Sequence, residues 1–394
     1  MLEGIRVLDL TRLVPGPYCT LMLADYGAEV IKIEDTGAGD YIRDIPPFIG
    51  SMGARYVALN RNKKSLSINL KSEKGKEIFL KLVESSDVVL ESFRPGVMEK
   101  LGLGYETLKK YNESIILCRL SGYGQDGPYS QKPGHDINYI SYAGLLGLNG
   151  RKGEKPSVPP LQIADLAAGS LISTTAILMA IIHRMKTGEG QEIDVSMMDG
   201  TIALMYTLYP NLFAGKPPRK GEERLTGGLA CYNIYETKDG KYIAVGALEK
   251  KFWDNFCDCL GLEDWKEKLN APPEVQEQMA KELQDLFLTK TRDEWMEVLE
   301  QKDTCCSPIL DLEEVMEDPH VKARNIFQTF THEQWGDVTQ IRPAFVSSII
   351  KEMPPEWAPE RGRDSREILE ELGFEKGEID QLIEQQIIAV EKHN

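Results

Sequence analysis

Positive charge is scarce in this chain: 46 Lys and Arg stand against 62 Asp and Glu, a formal net charge of −16. Binding a nucleic-acid backbone takes a broad basic face that neutralises phosphates. Nucleic acid is therefore excluded as a partner, and only a local basic cluster remains to hold an anionic small molecule. Long apolar runs are lacking too. Residues 166–182 carry no charge, but Gly169, Ser170, Ser173, Thr174 and Thr175 dilute the stretch, and its length is marginal for a bilayer. It reads as a buried helix, with no membrane partner. The opening Met1-Leu2-Glu3-Gly4-Ile5-Arg6 lacks the basic-then-apolar pattern, so no secretory leader is expected. Cysteines are few, odd in number and scattered (Cys19, Cys118, Cys231, Cys257, Cys259, Cys305, Cys306), which points to reduced thiols and a cytoplasmic setting. Cys257-x-Cys259 has no second Cys or His pair nearby, so no metal is expected.

What is present is the composition of a folded protein, 42% hydrophobic and 27% charged. At 394 residues the chain exceeds what one core usually organises, so two domains are expected. The first third alternates strand and helix. Residues 5–10, 29–34, 65–70, 87–91 and 114–120 have strand character, while 18–26, 73–85 and 105–111 have helical spacing. Strands separated by helices favour parallel pairing with right-handed crossovers. The result is an open α/β sheet whose ligands lie beyond the carboxyl ends of its strands.

Residues 165–186 predict a long apolar helix, 191–196 a strand and 200–213 another helical stretch; the polar, Pro-rich Gly215-Lys216-Pro217-Pro218-Arg219-Lys220 reads as a linker. Beyond it, residues 232–235 and 242–245 flank Lys238-Asp239-Gly240-Lys241 as a hairpin, because Asp-Gly supplies positive φ at little cost. The chain is thus expected to be α/β, with a large open-sheet domain over 1–215 completed by a return over 330–394. A smaller α+β domain spans 225–325, and 216–224 and 326–329 are linkers.

Gly122-Tyr123-Gly124-Gln125-Asp126-Gly127 matches a dinucleotide fingerprint after a strand. Pro128 follows at once, however, no helix opens there, and no acidic residue lies near twenty positions on to hold a ribose. The segment reads as a glycine loop lining a cleft. The chemistry lies next to it, in Gly134-His135-Asp136-Ile137-Asn138-Tyr139 and, thirty residues after the histidine, Asp165 in Leu161-Gln162-Ile163-Ala164-Asp165-Leu166-Ala167-Ala168-Gly169. Both groups stand where a loop enters a helix. There the dipole keeps an imidazole neutral, as a base requires, and free N–H groups can hold a developing oxyanion. Asp136 is placed to cap the helix or orient the ring. Asp165 reads equally well as an N-cap or a catalytic carboxylate, and the small Ala167, Ala168 and Gly169 leave room for a carbonyl at the first turn. Basic residues cluster at Arg61-Asn62-Lys63-Lys64 and Lys71 around one strand, and Arg94 follows another; together they can grip phosphates.

Leu8-Asp9-Leu10 with Pro15-Gly16-Pro17, Ala24-Asp25-Tyr26-Gly27-Ala28, Phe93-Arg94-Pro95-Gly96-Val97, Arg119-Leu120-Ser121-Gly122-Tyr123-Gly124-Gln125, Gly134 to Tyr139, and Val245-Gly246-Ala247-Leu248-Glu249 carry a likeness. Over essentially the whole chain the sequence resembles the class III CoA-transferase superfamily, and within it the racemase branch. The resemblance implies a large Rossmann-like domain and a small domain, in two chains threaded through each other as an interlocked homodimer. It implies that His135 and Asp165 face opposite sides of the α-carbon of a 2-methylacyl-CoA, with Glu249 supporting Asp165 from the partner subunit. Arg61, Lys63, Lys71, Arg94 and Gly124 would hold coenzyme A, which belongs to the substrate; no separate cofactor is implied. Transferases of the superfamily lack this histidine and use the matching aspartate as a nucleophile that accepts the acyl group as a mixed anhydride. Two departures stand out: Asp35-Thr36 where relatives commonly carry Arg-Pro, and Thr226-Gly227-Gly228-Leu229-Ala230 in place of the racemases' Asp-Gly-Gly-Ala-Pro. The expectation is an acyl-CoA α-epimerase working by two-base proton transfer through an enolate, with helix-start N–H groups on the enolate oxygen. The alternative is CoA transfer between carboxylic acids through an acyl anhydride at Asp165.

Overall fold

The computed structural model describes residues 1–349 and 355–390; Ile350 and 391–394, at the ends of two stretches expected to rejoin the large domain, lie outside them. The chain divides into a larger unit of Met1–Ala143, Pro160–Leu204 and Asn325–Asn394, and a smaller one of Gly144–Pro159 and Met205–Arg324.

The larger unit is built on a seven-stranded sheet. Strands β1 (Arg6–Leu10), β2 (Glu29–Glu34), β3 (Lys63–Ile68), β4 (Val88–Glu91), β5 (Ile116–Ser121) and β6 (Gln191–Ser196) run parallel in the order β3-β2-β1-β4-β5-β6, and β7 (Ile388–Ala389) adds antiparallel to β3. Successive strand residues point to opposite faces. Val88, Val89 and Leu90 are nonetheless all fully buried, so the sheet is covered on both sides and its strands read as continuous apolar runs. The helix Glu73–Glu84 contributes to that cover: Ser72 Oγ accepts from Gly75 N at 3.0 Å, and Ile78, Phe79, Leu82 and Val83 are buried, each worth about 1.5–3 kcal/mol. The strand order reverses between β1 and β4, a topological switch point whose carboxyl edge is the binding crevice of such sheets.

A layer of buried charge fixes that edge. Asp9 Oδ1 accepts from Thr11 N at 2.9 Å, and Asp9 Oδ2 accepts from Thr20 Oγ1 at 2.5 Å. Lys63 Nζ donates to Pro17 O (2.9 Å), Thr20 Oγ1 (2.8 Å) and Asn60 Oδ1 (3.0 Å), 3.4 Å from Asp9 Oδ2. Lys32 Nζ pairs with Asp40 Oδ2 at 3.0 Å. Buried charges persist only when paired and hydrogen-bonded; here they anchor the turn from β1 into helix α1 (Pro15–Asp25).

The smaller unit holds a three-stranded antiparallel sheet, Tyr242–Gly246 between Tyr232–Glu236 and Cys306–Ile309. Gly240 adopts φ +74°, as the Asp-Gly turn requires. Tyr235, Trp253, Phe256, Phe287 and Trp295 form its core. The boundaries differ from those expected. Residues 144–159 and 205–224 belong to this unit because they pack on one another: Lys220 Nζ bonds Glu154 O, and a Cβ on Gly221 would meet Lys152 N at 2.4 Å. Residues 326–329 are not a linker either, since Phe327–His332 pairs with Gly336–Ile341 as a hairpin in the larger unit.

Candidate active site

His135 is the N-cap of helix α2 (Asp136–Tyr142), with extended backbone at φ −128° and ψ 176°, and its N–H donates to Asn138 Oδ1 at 3.1 Å. Asp165 is not the cap its sequence position offered. The helix that carries it begins as a π-helical stretch, Ala164–Leu171, capped by Ile163, and continues as α3 (Ile172–Thr187). Asp165 therefore lies within the first turn, and the capping carboxylate comes from elsewhere. Asp136 Oδ1 accepts from Ala164 N at 2.6 Å and from Asp165 N at 3.1 Å. One side chain thus joins the helix that His135 opens to the helix that holds Asp165.

The widened π turn is a feature common at functional sites, and small residues allow it to dock closely. Ser170 Oγ, 2.9 Å from Asp165 O, also donates to Pro15 O at 2.6 Å, and a Cβ on Gly169 would lie 3.3 Å from Pro15 Cβ. The Asp165 helix is thereby held against the start of α1, at the carboxyl edge of β1. The β5–α2 loop brings His135 to the same edge.

Electrostatics separate the two carboxylates. Asp165 is half-buried and its carboxylate accepts no hydrogen bond among the described residues. Burial first, and the charge of Asp136 second, push it up to about 7. Asp136 is also raised by burial, but the two N–H groups it holds oppose the rise. Neighbouring acids with different environments are the usual means of dividing proton-transfer roles. His135 is exposed.

At the Asp165 helix the oxyanion expectation needs correction. The N–H groups of Ala164 and Asp165 are taken by Asp136, and Leu166 N donates to Gln162 O at 2.9 Å. A helix start supplies donors only while they are free, and these are not.

The glycine loop behaves as a turn. Gly124 has φ +86° and donates its N–H to Ser121 Oγ at 3.0 Å, and the next helix begins only at Asp136. It is packed by an aromatic cluster in which Tyr123 meets Tyr129, Tyr139 and Tyr142 edge-on, with Lys132 Nζ 4.0 Å above the Tyr129 ring.

The basic residues separate into two groups. Arg61 and Lys63 are corrected: both are buried and internally committed at the amino end of β3. Arg61 Nε and Nη2 pair with Asp25 at 2.9 and 2.6 Å and Nη1 donates to Gln340 Oε1 at 3.1 Å, while Lys63 belongs to the buried layer. Lys71 follows β3, Arg94 follows β4 and Gly124 follows β5, all at the carboxyl edge; Lys71 and Arg94 are exposed and in no ion pair among the described residues. Arg12, just past β1 at the switch point, is likewise exposed and unpaired among them. Sequence reasoning passed over it because a lone arginine carries no pattern, although its place after β1 was a signal. Glu249 is exposed and stands at the N-cap position of the helix Lys250–Leu260 of the smaller unit, where its side chain makes no capping hydrogen bond among the described residues.

The stretch expected to be a buried helix is buried on one face only. Ala164–Thr187 has 24 residues, its most apolar 18-residue window has a mean hydropathy of 1.8, and by length and composition alone it could cross a membrane. Ile177, Ala180 and Ile181 are buried, but Leu171, Met179, Ile182 and Met185 are exposed, Met185 at 78%.

Comparison with known proteins bears on this geometry. Alpha-methylacyl-CoA racemase of Homo sapiens is 39% identical over 396 residues, covering 99% of this chain and 98% of that protein. Succinyl-CoA:glutarate CoA-transferase of Homo sapiens is 33% identical over 377 residues, covering 94% and 86%. The crystal structure of a CAIB/BAIF family protein from Brucella suis matches with a TM-score of 0.82 at 29% identity, covering 94% of this chain and 99% of that one. Residues 2–365 match the description of CoA-transferase family III, and the chain belongs to that family.

Proposed function

We propose that this protein is an acyl-CoA α-carbon epimerase acting on 2-methylacyl-CoA-like thioesters. The observation that carries the reading is the Asp136 bridge, which sets a carboxyl poised near pH 7 beside the helix entrance occupied by His135. In one direction the Asp165 carboxylate takes the α-proton, the electron pair moves into an enolate, and the His135 imidazolium delivers a proton to the opposite face. In the other direction the roles exchange. An acid near the operating pH is efficient in both. Arg12, Lys71 and Arg94, exposed at the carboxyl edge, are the residues proposed for the phosphates of coenzyme A, and the reaction as written uses no further cofactor. Likeness to a racemase over nearly the full chain supports this reading.

The proposal includes a homodimer in which a second copy covers the exposed apolar stripe of Leu171, Met179, Ile182 and Met185, with Glu249 of the partner subunit supporting Asp165. A face of this kind on a soluble chain marks an interaction surface.

CoA transfer is the second reading. It is favoured by the Asp165 carboxylate, which accepts no hydrogen bond among the described residues, as a nucleophile would not, and by likeness to a CoA-transferase. Incubating each pure epimer of a 2-methylacyl-CoA in D2O separates the two. Epimerisation places deuterium at the α-carbon and depends on His135. Transfer gives no α-deuterium, an acyl-enzyme at Asp165 trapped by hydroxylamine, and indifference to His135→Ala.

A further inference from the structure

Tyr139 is buried on the inner side of α2. Its hydroxyl donates to Gly134 O at 2.5 Å, the carbonyl immediately before His135. Its ring fills a notch that only glycines leave open: a Cβ on Gly122 would lie 2.3 Å from Tyr139 Cε1, and one on Gly134 would lie 2.7 Å from the same atom. Tyr123 closes the notch edge-on, with ring centroids 5.1 Å apart. The loop before His135 is thus fixed from two sides, by a hydrogen bond to its last carbonyl and by steric fit to two glycines.

Resting on the two-base reading above, we propose that Tyr139 is a positioning residue that sets the imidazole of His135 against the α-carbon, and that Gly122 and Gly134 are small so that its ring can seat. Burial first, and then the charges of Asp165 and Asp136, hold the Tyr139 phenol well above the usual range. It therefore remains a neutral hydrogen-bond donor and takes no part in proton transfer. Misplacing a base by about 1 Å can cost roughly 100-fold in rate.

The test is deuterium exchange in D2O, comparing wild type, His135→Ala and Tyr139→Phe, with far-UV circular dichroism as the folding control. In His135→Ala, inversion is lost, while the epimer whose α-proton faces Asp165 still exchanges with retention. Tyr139→Phe keeps the ring and loses only the hydroxyl, so it should fold and show the same signature in milder form. Inversion should fall about 10- to 100-fold, while retentive exchange on the Asp165 face changes less than about 2-fold. Gly134→Ala, which pushes the ring from the other side, should reproduce the bias. Equal loss of both exchanges, or unchanged inversion in Tyr139→Phe, overturns the positioning role while leaving the epimerase reading intact. Absence of α-exchange in the wild type overturns both.

Discussion

Asp136 binds the backbone of Asp165 and opposes its charge at once: the oxygen that accepts from Asp165 N at 3.1 Å belongs to a carboxylate that also helps raise the Asp165 carboxyl to about 7. The same contact that orders the helix start tunes the acid beside it. One residue therefore fixes the position of Asp165 and adds to the rise in proton affinity that burial begins.

This coupling makes a pH signature. In the direction where Asp165 must be ionised to take the proton, kcat/KM should fall as pH drops below about 7; in the reverse direction, where it must start protonated, kcat/KM should fall as pH rises above it. Asp136→Asn keeps an oxygen for the two N–H groups and removes the like charge, so both limbs should move to lower pH. Because burial is the larger cause, the limb should stay above the ordinary carboxylate range. Limbs that do not move in Asp136→Asn remove the coupling.

The same group has a cost in stability. Its folded-state affinity for a proton is raised from 3.8 to about 7, so stability from this group is present at low pH and lost as pH rises through the folded value. Asp165→Asn removes that pH dependence. The variant should melt above the wild type at pH 8, by at least about 2 °C for a protein of this size, and the difference should close toward pH 4. A constant difference across that range would point to packing instead.

Lys63 and Arg94 should respond in opposite ways. Lys63→Ala strands Asp9 in a wholly buried site, a change that costs about 3–5 kcal/mol, with no selective rise in KM in whatever fraction folds. Arg94→Ala removes a side chain that is in no ion pair among the described residues, and it should leave the melting temperature unchanged while raising KM for acyl-CoA several-fold, the more so at low salt. A raised KM with normal stability in Lys63→Ala would return it to the nucleotide site.

The contrast shows what the sequence could tell. Alternating strands and helices over residues 5–120 were legible because each element repeats its own period, and the observed strands fall within a few residues of those expected. His135 and Asp165 were legible as helix-start groups. Three things were not. The buried layer around Asp9 and Lys63 depends on residues 54 positions apart meeting beneath one strand end, and a lysine in a basic run carries no sign of burial. The π turn at Ala164–Leu171 has no periodic signature, so the sequence left Asp165 equally an N-cap or a catalytic carboxylate, while in the structure Asp136 accepts from the first N–H groups of that helix. Residues 144–159 join the smaller unit through contacts such as Lys220 with Glu154 that no local pattern announces.

Met179 and Met185 test the proposed second copy. Met179→Glu with Met185→Glu places two charges on the exposed stripe of α3, where burial of an unpaired charge is strongly disfavoured. Light scattering after size exclusion should show wild type at twice the chain mass and the variant shifted toward the monomer, with activity lost in parallel. An unchanged mass in the variant, or a monomeric wild type, removes the stripe as the interface; selective partition of wild type onto lipid vesicles would assign it to a membrane surface instead.

Glu249 decides whether the site is shared. Asp165→Asn and Glu249→Gln should each lower kcat, about 100-fold or more for the first and less for the second, since a supporting carboxylate contributes through Asp165. Co-expressing the two variants with different affinity tags and purifying the mixed dimer then gives a count. If Glu249 serves the partner's Asp165, one site of the mixed dimer carries both changes and the other carries none, so about half of the wild-type activity returns. If it serves its own chain, every site carries one change and the mixed dimer is only as active as the average of its parents; if it serves neither, Glu249→Gln alone keeps the wild-type kcat, which already refutes the shared site. Recovery near one half supports the shared site; activity at the parental average refutes it.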